Sequence, residues 1–153
     1  MQSQRLGRMQ VDKLFEMEGG LPLGMFLPDV TAADLTALAR WHVDSDLGTE
    51  PDHAMFMLSM HSFVIRIDGF NVLVDACNGN HKQRSVPNVH QLETPYLANL
   101  AALGLRPEDI HAVLCTHLHF DHVGWNTRLE NGRWVPTFPN ARYVFSAQDY
   151  AHW

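Results

Sequence analysis

Three histidines and one aspartate fall within six residues of the run Val113-Leu114-Cys115-Thr116-His117-Leu118-His119-Phe120-Asp121-His122-Val123-Gly124-Trp125. The apolar stretch Ala112-Val113-Leu114-Cys115 ahead of them reads as a short buried strand, with Thr116 at its end. His-x-His-x-Asp-His is then the loop that leaves the strand. Ligands on such a loop are positioned before any ion arrives. Imidazole is the commonest protein ligand for zinc-class ions, and a carboxylate offers them a hard oxygen. In an extended chain His117, His119 and Asp121 point one way and His122 the other, with Gly124 placed to turn the chain. One ion cannot take four donors from so short a segment. The spacing predicts two neighbouring ions, one on His117 and His119 and one on Asp121 and His122. Each histidine alone would read as a solvated loop residue; the set, directly behind a strand, predicts metal binding.

The segment resembles the signature of the metallo-β-lactamase-fold hydrolases. Cys115–Thr127 and Trp134–Tyr143 are similar to a bacterial branch that includes lactonase-like enzymes, and the resemblance is clear from about Phe63 to Trp153. It implies an α/β (α+β) fold, the first half of an αββα sandwich, with a mixed sheet and helices on one face. Residues 1–153 would be a single incomplete domain, 1–54 an N-terminal extension with a helix and 55–153 the sheet with its metal-binding loop. The resemblance also implies two divalent metal ions, zinc before iron or manganese, sharing a hydroxide that attacks a carbonyl carbon. Asp121 would hold the second ion and hand a proton to the leaving group. A small-molecule lactone or other ester is the natural substrate of this branch. Where the family has an Asp-Thr-Cys or Asp-Thr-Gly turn beside the metals, this chain has Asp75-Ala76-Cys77. Asp75 and Thr116 are expected to support the histidine loop by hydrogen bonds; a simple turn cap is an equal reading of Asp75.

The family's remaining ligands, a third His, a bridging Asp and a last His, lie in its second half. Only a short stretch follows His122 here, and its one histidine, His152, stands at a helix start without a family counterpart. The expectation is an N-terminal half. An incomplete record of a longer enzyme, a truncated product and a half-molecule that pairs with another chain all stay open. Alone, such a half should self-associate and hydrolyse at trace level at best. Two further readings stand beside the hydrolase: an iron-dependent oxidoreductase of the persulfide-dioxygenase kind, and a non-catalytic fragment or interaction module.

Apolar residues make up 46% of the chain and charged residues 18%, as in folded globular proteins. The net charge of −6, with no Lys/Arg cluster, argues against nucleic acid as a partner. No apolar run of about 18 residues predicts a membrane span. The first residues lack the apolar core of a signal peptide, so a cytoplasmic location is the default. Two cysteines, Cys77 and Cys115, make no disulfide framework. Glycine-rich phosphate loops and a Gly-x-Ser-x-Gly elbow are missing from the sequence.

In chain order, Val11–Met17 reads as a strand of poor alternation, and Gly19–Gly24 with Pro28 as a loop. Thr31-Ala32-Ala33-Asp34 resembles a capping box opening a helix with Leu35, Leu38 and Ala39 inward, ending near Trp41. Val43–His53 reads as an exposed connection. Met55–Ile67 and Phe70–Val74 form a hairpin about Asp68-Gly69. Thr94-Pro95 opens a helix that Gly104 ends, with Thr94 as its cap. Val72–Val74 and Ala112–Cys115 should then pair in parallel. Asn131-Gly132 signals a second hairpin, Arg142–Phe145 a strand, and Ser146 a helix cap. His61 and Met55, Met57 and Met60 are assigned to packing.

Overall fold

A computed structural model describes residues 3–38 and 54–153, the side chain of Leu38 apart. The chain divides into two compact units, one of Met1–Met17 with Met60–Trp153 and one of Glu18–Ser59.

The main sheet has six strands in the order β1-β2-β3-β4-β5-β8: β1 (Ser3–Leu6), β2 (Met9–Pro22), β3 (Met55–Ile67), β4 (Phe70–Val74), β5 (Ala112–Leu114) and β8 (Arg142–Val144). A separate hairpin is made by β6 (Thr127–Glu130) and β7 (Arg133–Pro136). Asp68 and Gly69 take φ of 50° and 81°, and Asn131 and Gly132 take 50° and 77°. Two successive left-handed residues match the right-handed twist of the strands they join, which is why Asp-Gly and Asn-Gly fill these turns. β4 and β5 pair in parallel, as do β5 and β8, so the sheet is mixed.

The sheet starts earlier than the sequence suggested. β2 runs on through Gly19 and Gly20 to Pro22, where a loop was expected, and β1 precedes it. The buried row of β2 is Asp12, Leu14 and Glu16, each at most 1% exposed. Two charged side chains facing inward erase the apolar alternation by which a strand is recognised. Asp12 meets Arg66 Nε at 2.9 Å and accepts from Gln10 Nε2 at 2.9 Å, so its charge is compensated inside the fold.

Helix α2 (Tyr96–Ala102) packs with the sheet through Tyr96 and Leu100, which join Leu14, Val64, Leu73, Ile110 and Val113 in a fully buried core. Thr94 does not cap it. Its N–H and Oγ1 both donate to Asn80 Oδ1, at 2.8 and 3.1 Å, and Pro95 takes the cap position without a side-chain bond. A tertiary partner thus outcompeted a local one. In the other unit, α1 (Ala32–Leu38) opens on the expected capping box: Thr31 N donates to Asp34 Oδ2 at 2.9 Å and Asp34 N to Thr31 Oγ1 at 3.3 Å. Leu23, Leu35 and Ala54 form its small core. The expected helix end near Trp41 and the connection Val43–His53 lie outside the described residues. Among the described residues no helix is long and apolar enough to cross a membrane.

Cross-strand partners point to the same face, so Val64, Leu73 and Val113 face the core while Phe63, Val74, Leu114 and Val144 form a row on the other face. Phe63, Leu114 and Val144 are 44, 40 and 48% exposed. A contiguous apolar row of this kind drives association. The chain is expected to self-associate as its concentration rises, and Leu114→Glu with Val144→Glu should shift it to monomer in sedimentation runs. Because both sites are exposed, the double variant should stay within about 0.5 kcal/mol per site of the original stability. A parent chain that stays monomeric at high concentration contradicts this.

Candidate metal centre

β4 and β5 end side by side, Val74 opposite Leu114, and Asp75 N donates to Leu114 O at 2.9 Å. Two loops leave this edge together. The first, 75–79, places Asp75, Cys77 and Gly79 at φ of 56°, 42° and 77°. Left-handed backbone at a non-glycine residue costs on the order of 1 kcal/mol and persists only where surroundings over-determine it. The second loop supplies that restraint. Ala76 N donates to His122 O at 2.7 Å, Gly124 N to Cys77 O at 2.7 Å and Trp125 N to Ala76 O at 2.6 Å.

Glu16 clamps both loops from below. Its Oε2 accepts from Asn78 N and Asn78 Nδ2, each at 2.9 Å; its Oε1 accepts from Gly79 N at 3.0 Å and Trp125 Nε1 at 2.7 Å. Trp125 stacks on Tyr96, centroids 5.0 Å apart. Tyr96 shares a short hydrogen bond with Ser62, and Ser62 lies 3.4 Å from Cys77 Sγ. Burial first, then the Glu16 charge, pushes the Cys77 thiol up to about 12. Cys77 and Cys115 are both free thiols, and Cys77 is a neutral filler rather than a nucleophile. Sequence reasoning missed Glu16, Asn78 and Trp125. Only Glu16 carried a signal, an acid two residues from Leu14 along a strand.

The histidine loop is not extended throughout. Phe120–Val123 forms a single helical turn, α3, with His119 as its N-cap. The expected alternation therefore fails from residue 120 on. The turn swings His122 back towards Asp75 and leaves Asp121 43% exposed. Gly124 is not a left-handed turn residue either, since its φ is −59°. It is glycine for lack of space: a Cβ there would stand 1.8 Å from Asn78 O.

His117, His119, Asp121 and His122 come together at this edge with Asp75 and Thr116. His117 Nε2 lies 3.1 Å from His119 Nδ1, the His117 and His122 ring centroids are 3.9 Å apart, and His122 Nε2 lies 3.6 Å from Asp121 Oδ2. Asp75 accepts from Thr116 N at 2.8 Å and from Thr116 Oγ1 at 2.9 Å, and Thr116 Oγ1 stands 3.1 Å from His117 Nδ1. His122 Nδ1 is 3.0 Å from Asp75 Oδ2, close enough for an ion pair but angled so that it makes no proper hydrogen bond. His152, in α4 (Ala147–His152), lies against Trp153, whose ring in turn meets that of His119 with centroids 5.7 Å apart, and His61 lies against Phe63.

Among the described residues no three His, Cys, Asp or Glu side chains stand ready to hold a single ion. Taken in pairs, they fit better. Two donors on a tetrahedral zinc-class ion, each about 2.0–2.1 Å from it, lie about 3.3 Å apart. The His117–His119 and His122–Asp121 separations of 3.1 and 3.6 Å bracket that spacing. Imidazole and carboxylate are also the right donor chemistry for a divalent ion.

Fold and site together define an α/β scaffold with a cluster of imidazole and carboxylate side chains at the carboxyl ends of parallel strands. Residues 58–153 match the sequence profile of the metallo-beta-lactamase superfamily, and the chain belongs to it. Among solved structures it is similar to the hydrolase AbOPH in the beta lactamase superfamily, with 24% identity, a TM-score of 0.71, and 99% of this chain against 46% of that one. A "probable metal-dependent hydrolase" from Staphylococcus aureus matches at 24% identity and TM-score 0.72, over 97% of this chain and 50% of that one. AidC, a dizinc quorum-quenching lactonase solved with an N-acyl homoserine product, matches at 19% identity and TM-score 0.75, over 99% and 46%. The chain thus spans about half the length of these structures, and the likeness is one of fold. No curated protein matches the chain.

Proposed function

We propose that this chain carries the first ligand cluster of a metal-dependent hydrolase that acts on a small-molecule lactone or other ester. The observation that carries the reading is the gathering of His117, His119, Asp121 and His122 at one strand edge, in pairs spaced like donors on one ion. Two divalent ions, zinc before iron or manganese, would be held by His117 with His119 and by Asp121 with His122. Such ions supply Lewis acidity and make water a nucleophile near neutral pH. Asp75 faces the His122 ring at ion-pair distance, and Thr116 bridges Asp75 to His117. Asp121, the most open carboxylate of the group, carries a proton to the leaving oxygen. Superfamily membership and the lactonase among the structural relatives support the substrate class.

Zinc titration of the chain, with metal analysis after purification and a panel of lactones and esters, tests this. Pairs of donors hold ions weakly, so the chain is expected to bind zinc below two equivalents and to hydrolyse at trace rates. His117→Ala and His119→Ala should each remove the zinc held by that pair, leaving at most the ion held by Asp121 and His122. Asp75→Ala should weaken zinc binding by roughly 10–100-fold, as for groups that orient a ligand. If Asp75→Ala empties the site while His119→Ala leaves it full, the roles are reversed. Iron with oxygen uptake in place of zinc with hydrolysis would replace the reading by a redox one.

A further inference from the structure

Beside the histidine loop lies an open hollow of about 720 Å³ whose walls include Lys82, Arg84, Gln91, Thr127, Leu129 and Trp134. Lys82 Nζ donates to Thr127 Oγ1 at 2.6 Å and lies 3.5 Å from the centre of the Trp134 ring. Arg84 sits 5.1 Å over the Phe120 ring, and its Nη2 makes only long contacts, 3.4 Å each, to Asn78 O and Phe120 O. Its Nε is buried with no partner among the described residues. His81 is engaged elsewhere, 2.8 Å from Glu93. Neither Lys82 nor Arg84 has a carboxylate within ion-pair distance among the described residues.

Two neighbouring, partly buried cations with no carboxylate in ion-pair contact are an unfavourable arrangement, since each is desolvated and each repels the other, and Asp121 offsets only Arg84, from beyond contact distance. Burial and then the nearby Arg84 charge lower the Lys82 amine to about 8, consistent with that. A bound anion would relieve both terms at once. The surroundings narrow the kind of anion. Thr127 and Gln91 offer neutral hydrogen-bonding groups, while the Trp134 face and Leu129 offer apolar surface, so the hollow suits a single charge on an apolar body. From this we infer that the Lys82–Arg84 hollow is a binding site for organic monocarboxylates, formed by residues outside the histidine cluster. It adjoins that cluster, because Phe120, which Arg84 covers, lies between His119 and Asp121.

The site does not depend on metal, and its test is done with chelator present. Benzoate and its neutral analogue benzamide are titrated into the full chain, following the indole N–H resonance of Trp134 by NMR, assigned with Trp134→Phe. Benzoate should give a saturable shift and benzamide should not. Lys82→Met keeps an unbranched side chain without the charge and Arg84→Gln keeps a polar end. Each should weaken benzoate about tenfold or more, as expected for loss of one charge-assisted hydrogen bond. Equal responses to benzoate and benzamide overturn the proposal, as does an unchanged response in the double variant. Inorganic phosphate binding as tightly as benzoate would overturn the part played by the apolar walls. Should Lys82→Met unfold, Arg84→Gln and the benzoate–benzamide contrast still decide.

Discussion

Gly124→Ala is expected to destabilise the fold by more than about 4 kcal/mol, a loss reserved for a few mechanisms such as backbone collision in a packed interior. The added Cβ would stand 1.8 Å from Asn78 O and 1.9 Å from Asn78 C. Both are backbone atoms of a buried loop and cannot rotate away. Gly79 faces it from the other side, and a Cβ there would lie 2.6 Å from Gly124 C and O. To admit a methyl the two loops must separate, which breaks Gly124 N to Cys77 O and Trp125 N to Ala76 O. Asp75 and His122 would then lose their register. Urea unfolding of Gly124→Ala, with Gly132→Ala as control, checks this. Gly132 has φ of +77° but open space around it, so its alanine variant should cost only about 1–2 kcal/mol. A loss no larger than that of Gly132→Ala would show that the two loops part easily and that close approach does not fix glycine at 124.

Glu16→Ala is expected to cost about 3–5 kcal/mol, because it orphans buried donors worth roughly 1–3 kcal/mol each when unpaired. Glu16 is 1% exposed and accepts four hydrogen bonds, two on each oxygen. The near-isosteric Glu16→Gln is informative for that reason. A glutamine has one acceptor oxygen and one donor group, so whichever way the amide lies, its NH₂ faces two other donors. It should lose about 2 kcal/mol or more, where a surface Glu→Gln would lose nothing measurable. Faster exchange of the Trp125 indole N–H in both variants would place the damage at the clamp. A Glu16→Gln protein as stable as the parent would show that the carboxylate charge and its paired oxygens are not needed there.

Glu16 and Gly124 also mark where local reading stopped. The histidine motif was legible because its meaning is local: four donor groups lie within six residues, and a short apolar run before them is a strand. The Asp-Gly and Asn-Gly turns, the Thr31–Asp34 box and the Ser146 cap were legible for the same reason, since each is complete within two to four residues. Thr94 shows the limit of such signals. Its cap sequence was sound, and Asn80, fourteen residues away, took the hydroxyl instead.

The amino-acid sequence by itself determined that metal-type donors follow a short strand, that two parallel strands flank a helix, and that the chain resembles one superfamily; that only Val113 of that strand is fully buried, with Leu114 on the open face, was decided by the sheet. Tertiary structure alone decided how those donors stand. It coiled Phe120–Val123 so that His122 turned to Asp75, and it set the two donor pairs at 3.1 and 3.6 Å. It also turned β2 inward with Asp12 and Glu16 on its buried row, which no hydrophobic pattern could have announced. The physical reason is common to all three. A buried charge or a closely approaching backbone is stable only through partners far along the chain, here Arg66 for Asp12 and residues 78, 79 and 125 for Glu16. Those partners exist only once the chain has folded.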